Sequence, residues 1–210
     1  MKVKKVLIVA TCLGALATVF LLSQSPQLVP AVDASPISSD PAAPVAGNPA
    51  GDVTVVVFSD YNCPFCKTAD TALEKLSRDD GHIRLVYKDW PILTDASTYG
   101  ARLALAANYQ GKYTVAHAAL MGIPGMRIPQ ERMYAAVKAS GIDMRRLEND
   151  LKAHGPEIDA LLRRNGEQAE SLGLQGTPAF LVGQYLVPQA LDYRGFKQVV
   201  AKARAKTKGK

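Results

Sequence analysis

Cysteine is scarce in this chain, with three residues in 210; tryptophan occurs once, histidine three times, and aromatic residues make up only 7%. Three cysteines cannot build the dense disulfide framework of a small secreted domain. A four-cysteine zinc site needs a second C-x-x-C pair, which is absent, and His82, His117 and His154 have no metal-ligand spacing among themselves. Also missing are a G-x-G-x-x-G fingerprint, a phosphate loop and a recognisable serine-hydrolase motif. Nucleotide-dependent enzymes and serine hydrolases therefore find no support. The net charge of +6 comes largely from the chain ends, Lys2, Lys4 and Lys5 and the tail "KARAKTKGK". Between them the charge is nearly balanced, and nucleic acid is not an expected partner. With 48% hydrophobic residues the chain has material for one good core, which excludes a disordered protein.

Long apolar runs are lacking too, with one exception. Val6 to Leu22 follows a basic start, the pattern of an export signal. The run is long for a signal core and short for a spanning helix, and "VDA" ending at Ala34 is the best small-residue cleavage site. Residues 1–22 are thus read as a signal peptide or a membrane anchor, and the lysines before the run stay cytoplasmic. Cys12 lies inside it, in surroundings that fit a lipoprotein cysteine poorly. Residues 23–50, rich in Pro, Ala and Ser and without helical or strand periodicity, read as a linker.

Order is expected to begin at "DVTVVVFSD". Val53 to Phe58 is a β-branched run suited to a strand buried on both faces. In the stretch after it, Ala69, Ala72, Leu73 and Leu76 share one helix face, Pro64 suits the first turn and Gly81 the end. "HIRLVYKDWP" supplies a second strand, Ile83 to Tyr87. Strand, helix, strand is a right-handed crossover between parallel strands. From Ala96 to about Leu172 the patterns are helical, in five segments divided by Gly, Pro and Ser-Gly. "TPAFLVG" and "QYLVP" then form a hairpin turning near Gly183 and Gln184, and a last helix closes the chain. The expected fold class is α/β: one sheet in two halves, residues 51–95 and 166–210, separated by a helical insertion over 96–165.

The remaining two cysteines, Cys63 and Cys66, stand at the strand-to-helix junction in "CPFC". Backbone amides and the positive end of the helix dipole favour a thiolate at Cys63. Cys66, one turn further in, gains less. The asymmetry makes Cys63 the attacking, partner-facing sulfur and Cys66 the resolving one. Two other readings stay open on these residues: a soft-metal site for Cu(I), with Met121, Met126, Met133 and Met144 in the helical block, and a purely structural disulfide.

"VVVFSDYNCPFCK", "LVYKDWPIL" and "LGLQGTPAFLVG" together resemble the DsbA-like branch of the thioredoxin superfamily, over Gly51 to about Ala203. The resemblance implies a thioredoxin-like fold with an inserted helical domain, a Cys63-Pro64-Phe65-Cys66 redox motif, a cis bond before Pro178, and a Thr177 that lines the peptide-binding surface. Two departures bear on redox poise. Val57 stands where many relatives carry a buried carboxylate, and Phe65 stands where strong oxidants carry histidine; a milder oxidant is expected. The implied activity is oxidation of thiols in reduced or unfolded protein substrates, with no cofactor and no metal. Expected too are a monomer, a membrane redox partner, and a periplasmic location, free or tethered through residues 6–22. Reduction or isomerisation of disulfides, or copper binding without catalysis, are the alternatives. Among smaller features, Asp60 reads as a solvated turn residue and Tyr61 as partly exposed. Lys88, Asp89 and Trp90 border the cleft or end a strand around a core tryptophan. Met121 to Pro129 is a mobile apolar lip or a plain loop.

Overall fold

A computed structural model describes residues 28–30 and 35–208. The apolar run proposed as signal or anchor lies outside the described residues, and among the described ones no helix is long and apolar enough to cross a membrane. The elements in order are β1 (Val29–Pro30), α1 (Ser35–Ser38), β2 (Val45–Gly47), β3 (Val53–Ser59), α2 (Pro64–Asp80) and β4 (Ile83–Asp89). Four helices follow, α3 (Asp95–Asn108), α4 (Tyr113–Met121), α5 (Gln130–Ala139) and α6 (Met144–Ser171). Then come β5 (Ala179–Val182), β6 (Tyr185–Val187) and α7 (Tyr193–Lys208).

The strands form one sheet in the order β1-β6-β5-β3-β4-β2. β3 and β4 pair in parallel over their full length, Val53 opposite Ile83 through Ser59 opposite Asp89, with α2 as crossover. β5 and β6 form the expected hairpin, turned by Gly183 at φ 57. Alternation along β3 sends Val53, Val55 and Val57 into the core beneath α2 and the helical block, and Val56 and Phe58 into a second core with Trp90 and Leu181. That two-sided burial is why β3 reads as an unbroken apolar run. Trp90 meets Phe58 edge-on and is 8% exposed, a core residue rather than a cleft border.

Two expectations need correction. The stretch read as a linker carries three short elements, with β2 paired antiparallel to β4 and β1 to β6. Elements of two to four residues show no period, and their backbone partners lie on strands far along the chain. Asp40 in this stretch is anchored by charge: Lys88, wholly buried on β4, donates to its carboxylate at 2.6 Å, and Arg164 on α6 at 3.0 Å. Burial alone would raise the Asp40 pKa, but the hydrogen bonds from Arg164 and Lys88 hold it at about 2. The second correction concerns α6. The segments divided at Gly155 and Pro156 are one 28-residue helix with Pro156 inside it. Gly155 is buried where Arg102 of α3 approaches, and a Cβ there would stand 3.3 Å from its guanidinium. The glycine serves helix packing and does not end the helix.

Candidate active site at the start of α2

Cys63 is the N-cap of α2, with extended φ −83 and ψ 115, and Pro64 follows at the first helical position. Its sulfur accepts a hydrogen bond from the Cys66 amide at 3.1 Å and lies 3.3 Å from the Thr177 carbonyl oxygen, to which it donates only in its protonated form. The Thr177–Pro178 peptide bond is cis. The late strand thus brings residues 177 and 178 against a sulfur 114 positions earlier. Both cysteines are free thiols and nearly buried, at 3% and 2% exposure, whereas Phe65 between them is 66% exposed. Phe65 is therefore the part of the motif that reaches solvent.

The two thiols are pushed in opposite directions. A hydrogen bond from the Cys66 side chain does most to lower the Cys63 pKa; burial opposes it, and the Thr177 side chain and the amides of Cys66 and Phe65 add to it. The result is a fall from an ordinary 9.0 to about 6. Burial, with the neighbouring Cys63 sulfur, drives Cys66 far up. The buried Thr177 hydroxyl has no other partner among the described residues. At neutral pH the reduced pair is thiolate at 63 and thiol at 66.

The turn before Cys63 is tied down from a distance. Asp60, expected in solvent, is 1% exposed and accepts from the amides of Asn62, Ile92 and Leu93 at 2.7, 2.9 and 3.0 Å. Tyr61, expected to be partly exposed, is 2% exposed, its hydroxyl 2.9 Å from His117 Nδ1 on α4. His117 Nε2 in turn meets Asp70 of α2 at 3.0 Å. Asn62 accepts from the Ile128 amide at 2.6 Å and donates to Thr94 at 2.8 Å. Asp89, at the end of β4, receives the Tyr113 hydroxyl at 3.0 and 3.1 Å. Burial raises its pKa to about 6, against the lowering effect of His117, Tyr61 and Tyr113. For His117, burial works downward, yet the bond to Asp70 outweighs it and the pKa ends raised.

Although β3 has no carboxylate at Val57, which pairs with Tyr87, buried carboxylates come from the turn after β3 (Asp60), from α2 (Asp70) and from the end of β4 (Asp89). Asp70 and His117 were missed in the sequence. Their signal was local: each is a polar residue on an otherwise apolar helix face, beside Ala69 and Leu73 in one case and Ala116 and Leu120 in the other.

Lys67, the residue after Cys66, donates its ammonium to the carbonyls of Ile123 and Gly125. Between this part of α2 and residues 121–126 lies an open groove of about 590 Å³. Among the described residues no group of three or more His, Cys, Asp or Glu is arranged to hold a metal.

A site of this kind, an N-capping cysteine facing a cis-proline loop, belongs with the thioredoxin fold, and the comparisons agree. A thioredoxin family model matches residues 39–202, and the chain belongs to that family. It resembles the crystal structure of a thioredoxin-like oxidoreductase from Silicibacter pomeroyi at 41% identity, with a TM-score of 0.77 over 83% of this chain and 99% of that one. The thiol-disulfide exchange protein alpha-DsbA2 of Wolbachia pipientis matches at 29% identity, with a TM-score of 0.75 over 80% of this chain and 91% of that one. A probable disulfide bond formation protein D of Bacillus anthracis is 28% identical over 71% of this chain and 73% of its own. The chain also matches the Na(+)/H(+) antiporter NhaA 1 of Mycobacterium sp. (strain KMS), at 27% identity over 66% of this chain, but spans only 23% of that protein's length.

Proposed function

We propose that the chain is an exported thiol:disulfide oxidoreductase that oxidises paired thiols of protein substrates by donating a Cys63–Cys66 disulfide. The observation that carries this reading is geometric: Cys63 caps α2, its sulfur takes the Cys66 amide and faces the Thr177 carbonyl before the cis Pro178, an arrangement that lowers the Cys63 pKa and raises that of Cys66. A substrate thiolate attacks the Cys63 sulfur, the Cys63–Cys66 bond breaks, and Cys66 leaves as a thiolate that takes up a proton. A second substrate thiolate then attacks the substrate sulfur attached to Cys63. The substrate departs with a new disulfide, and Cys63 leaves as a thiolate received by the Cys66 amide. Two electrons pass to the cysteine pair, and a membrane redox partner must remove them.

The poise follows from the thiolate. A pKa lowered from 9.0 to about 6 stabilises the reduced pair at pH 7 by about 1.4 kcal/mol, on the order of 30 mV toward the oxidising side. The Wolbachia and Bacillus relatives, a thiol-disulfide exchange protein and a probable disulfide bond formation protein, support the same chemistry. Reduction or isomerisation is the second reading, favoured by Thr177 before the cis-proline and by Phe65, which has no ring N–H to offer the thiolate. Titration against glutathione decides between them. A potential above about −200 mV is expected; one near about −270 mV overturns the oxidase direction.

Two further outcomes check the roles. Cys66→Ala accumulates mixed disulfides through Cys63; substrates attached in a Cys63→Ala chain sink the assignment. Alkylation of reduced Cys63 follows a titration with a midpoint near pH 6, about 3 units below an ordinary thiol. Two free thiols with stoichiometric copper, in protein purified without reductant, would overturn the enzymatic reading itself. The chain is read as a monomer, free in the periplasm or tethered through residues 6–22.

A further inference from the structure

The outer face of α7 is cationic and carries no carboxylate. Phe196, Val199, Val200 and Ala203 turn one side of the helix into the core, while Arg194, Lys197, Lys202 and Lys206 are exposed on the other. Gln198, Ala201 and Ala205 lie among them, uncharged and no longer than the cations. None of the four has an ion-pair partner among the described residues, and Lys202 has only the ring of Tyr185, whose centroid is 5.1 Å from its ammonium. The carboxylates that bond to α7 are already engaged, Asp52 and Asp80 by Arg204, and Asp79 by Lys75 and the Tyr193 hydroxyl. Asp192, just before the helix, accepts from the Gly195 amide. No large hydrophobic side chain of α7 is exposed among its described residues. That argues against an apolar protein seam and against a helix that sinks into acyl chains; it suits a flat anionic plane.

The same face lies beside the point where the N-terminal stretch joins the sheet. Leu28 packs on the core, and Val29 and Pro30 pair with Leu186 and Tyr185 of β6. Tyr185 is the residue whose ring Lys202 covers. The apolar run Val6 to Leu22 ends six residues before Leu28, a reach of at most about 20 Å even fully extended. On the tethered reading of that run, the cations of α7 work within a short span of a headgroup layer. α7 meets α2 through Lys75, Asp79 and Asp80, toward the end opposite Cys63, and the 17 residues of that helix are roughly 25 Å long. A surface bound through α7 thus leaves the redox sulfur free.

We infer that Arg194, Lys197, Lys202 and Lys206 form a docking face for the anionic headgroups of a bilayer. This docking goes beyond thiol exchange and involves no redox step. Each cation at such a surface strengthens partition by roughly fivefold. Four acting together hold down a domain that a short tether already keeps close. The attraction is screened by salt and is indifferent to the oxidation state of Cys63 and Cys66.

The test places the full chain on two sets of vesicles, phosphatidylcholine alone and phosphatidylcholine with about 30% phosphatidylglycerol, so that only surface charge differs. Brief lysine acetylation, read by mass spectrometry, reports which face is covered. On the charged vesicles Lys197, Lys202 and Lys206 are expected to react at least about fivefold more slowly than on the neutral ones. Lys152 of α6, also exposed, reacts equally on both. Salt at about 0.5 M abolishes the protection. Replacing Arg194, Lys197 and Lys202 together by Gln removes the protection of Lys206, whereas Lys197→Arg with Lys202→Arg keeps it. If the triple variant does not fold, Lys197→Gln alone must still weaken the protection of Lys206. Equal reactivity of the α7 lysines on both vesicles, or equal protection of Lys152, overturns the docking. So does protection of the same lysines by a DNA duplex when the charged vesicles give none. Oxidation of a dithiol peptide is unchanged in all these variants, so failure of the docking and failure of thiol exchange are read separately.

Discussion

Lys88 and Asp89 are neighbours on β4, yet they serve two buried polar clusters on opposite faces of the sheet. Lys88 points to Asp40 and Arg164; Asp89 points to Tyr113, in the neighbourhood of His117, Tyr61 and Asp70. The first cluster sets two cations on one carboxylate. The second gathers two carboxylates around one imidazole and two phenols, and so contains groups that titrate near neutrality. The second cluster is buried throughout, whereas Arg164 of the first is 41% exposed; solvent access and the balance of donors and acceptors together decide which one is inert. The first cluster fastens the N-terminal stretch to the sheet; the second lies against the redox turn.

The largest effect that would break this contrast is removal of the shared carboxylate. Asp40→Ala leaves Lys88 buried without a counter-charge and should cost about 3–5 kcal/mol in urea unfolding at pH 7. A loss below about 1 kcal/mol would mean that water reaches Lys88. Next in size is the opposite pH behaviour of Asp89. Between pH 3.8 and about 6 the folded chain keeps a proton that the unfolded chain has released, so stability falls as pH rises through that window, by about 3 kcal/mol. Asp89→Asn should remove that slope; urea midpoints at pH 4 and 7 that differ as in the unaltered chain would refute it. The smallest effect sharpens the comparison: Tyr113→Phe deletes one donor to Asp89, costs about 1.5 kcal/mol at pH 7, and moves the Asp89 titration above 6, measurable by carboxyl NMR.

Much of the fold was legible because it repeats with a period. The apolar run of β3, the face of α2, the hairpin at Gly183 and the pairing of Cys63 with a helix start are local patterns, and each stands where the sequence put it. What escaped is set at a distance. Asp60 is satisfied by amides 32 and 33 residues on, Tyr61 by a histidine 56 residues on, and Asp40 by an arginine 124 residues on. A polar residue whose partner lies that far away looks solvent-exposed in any short window. β1, α1 and β2 are too short to carry a period, and Pro156 reads as a break although the tertiary packing of α6 keeps the helix running.

One sulfur ties off α2 and, on the function proposed above, also exchanges bonds with the substrate. Every electron pair accepted or released therefore rewrites the first bond of that helix, and the oxidised and reduced chains cannot share a melting temperature. Because the anionic sulfur suits the helix start better than a bridged one, the reduced chain should survive more heat, and a calorimeter would serve as a redox electrode.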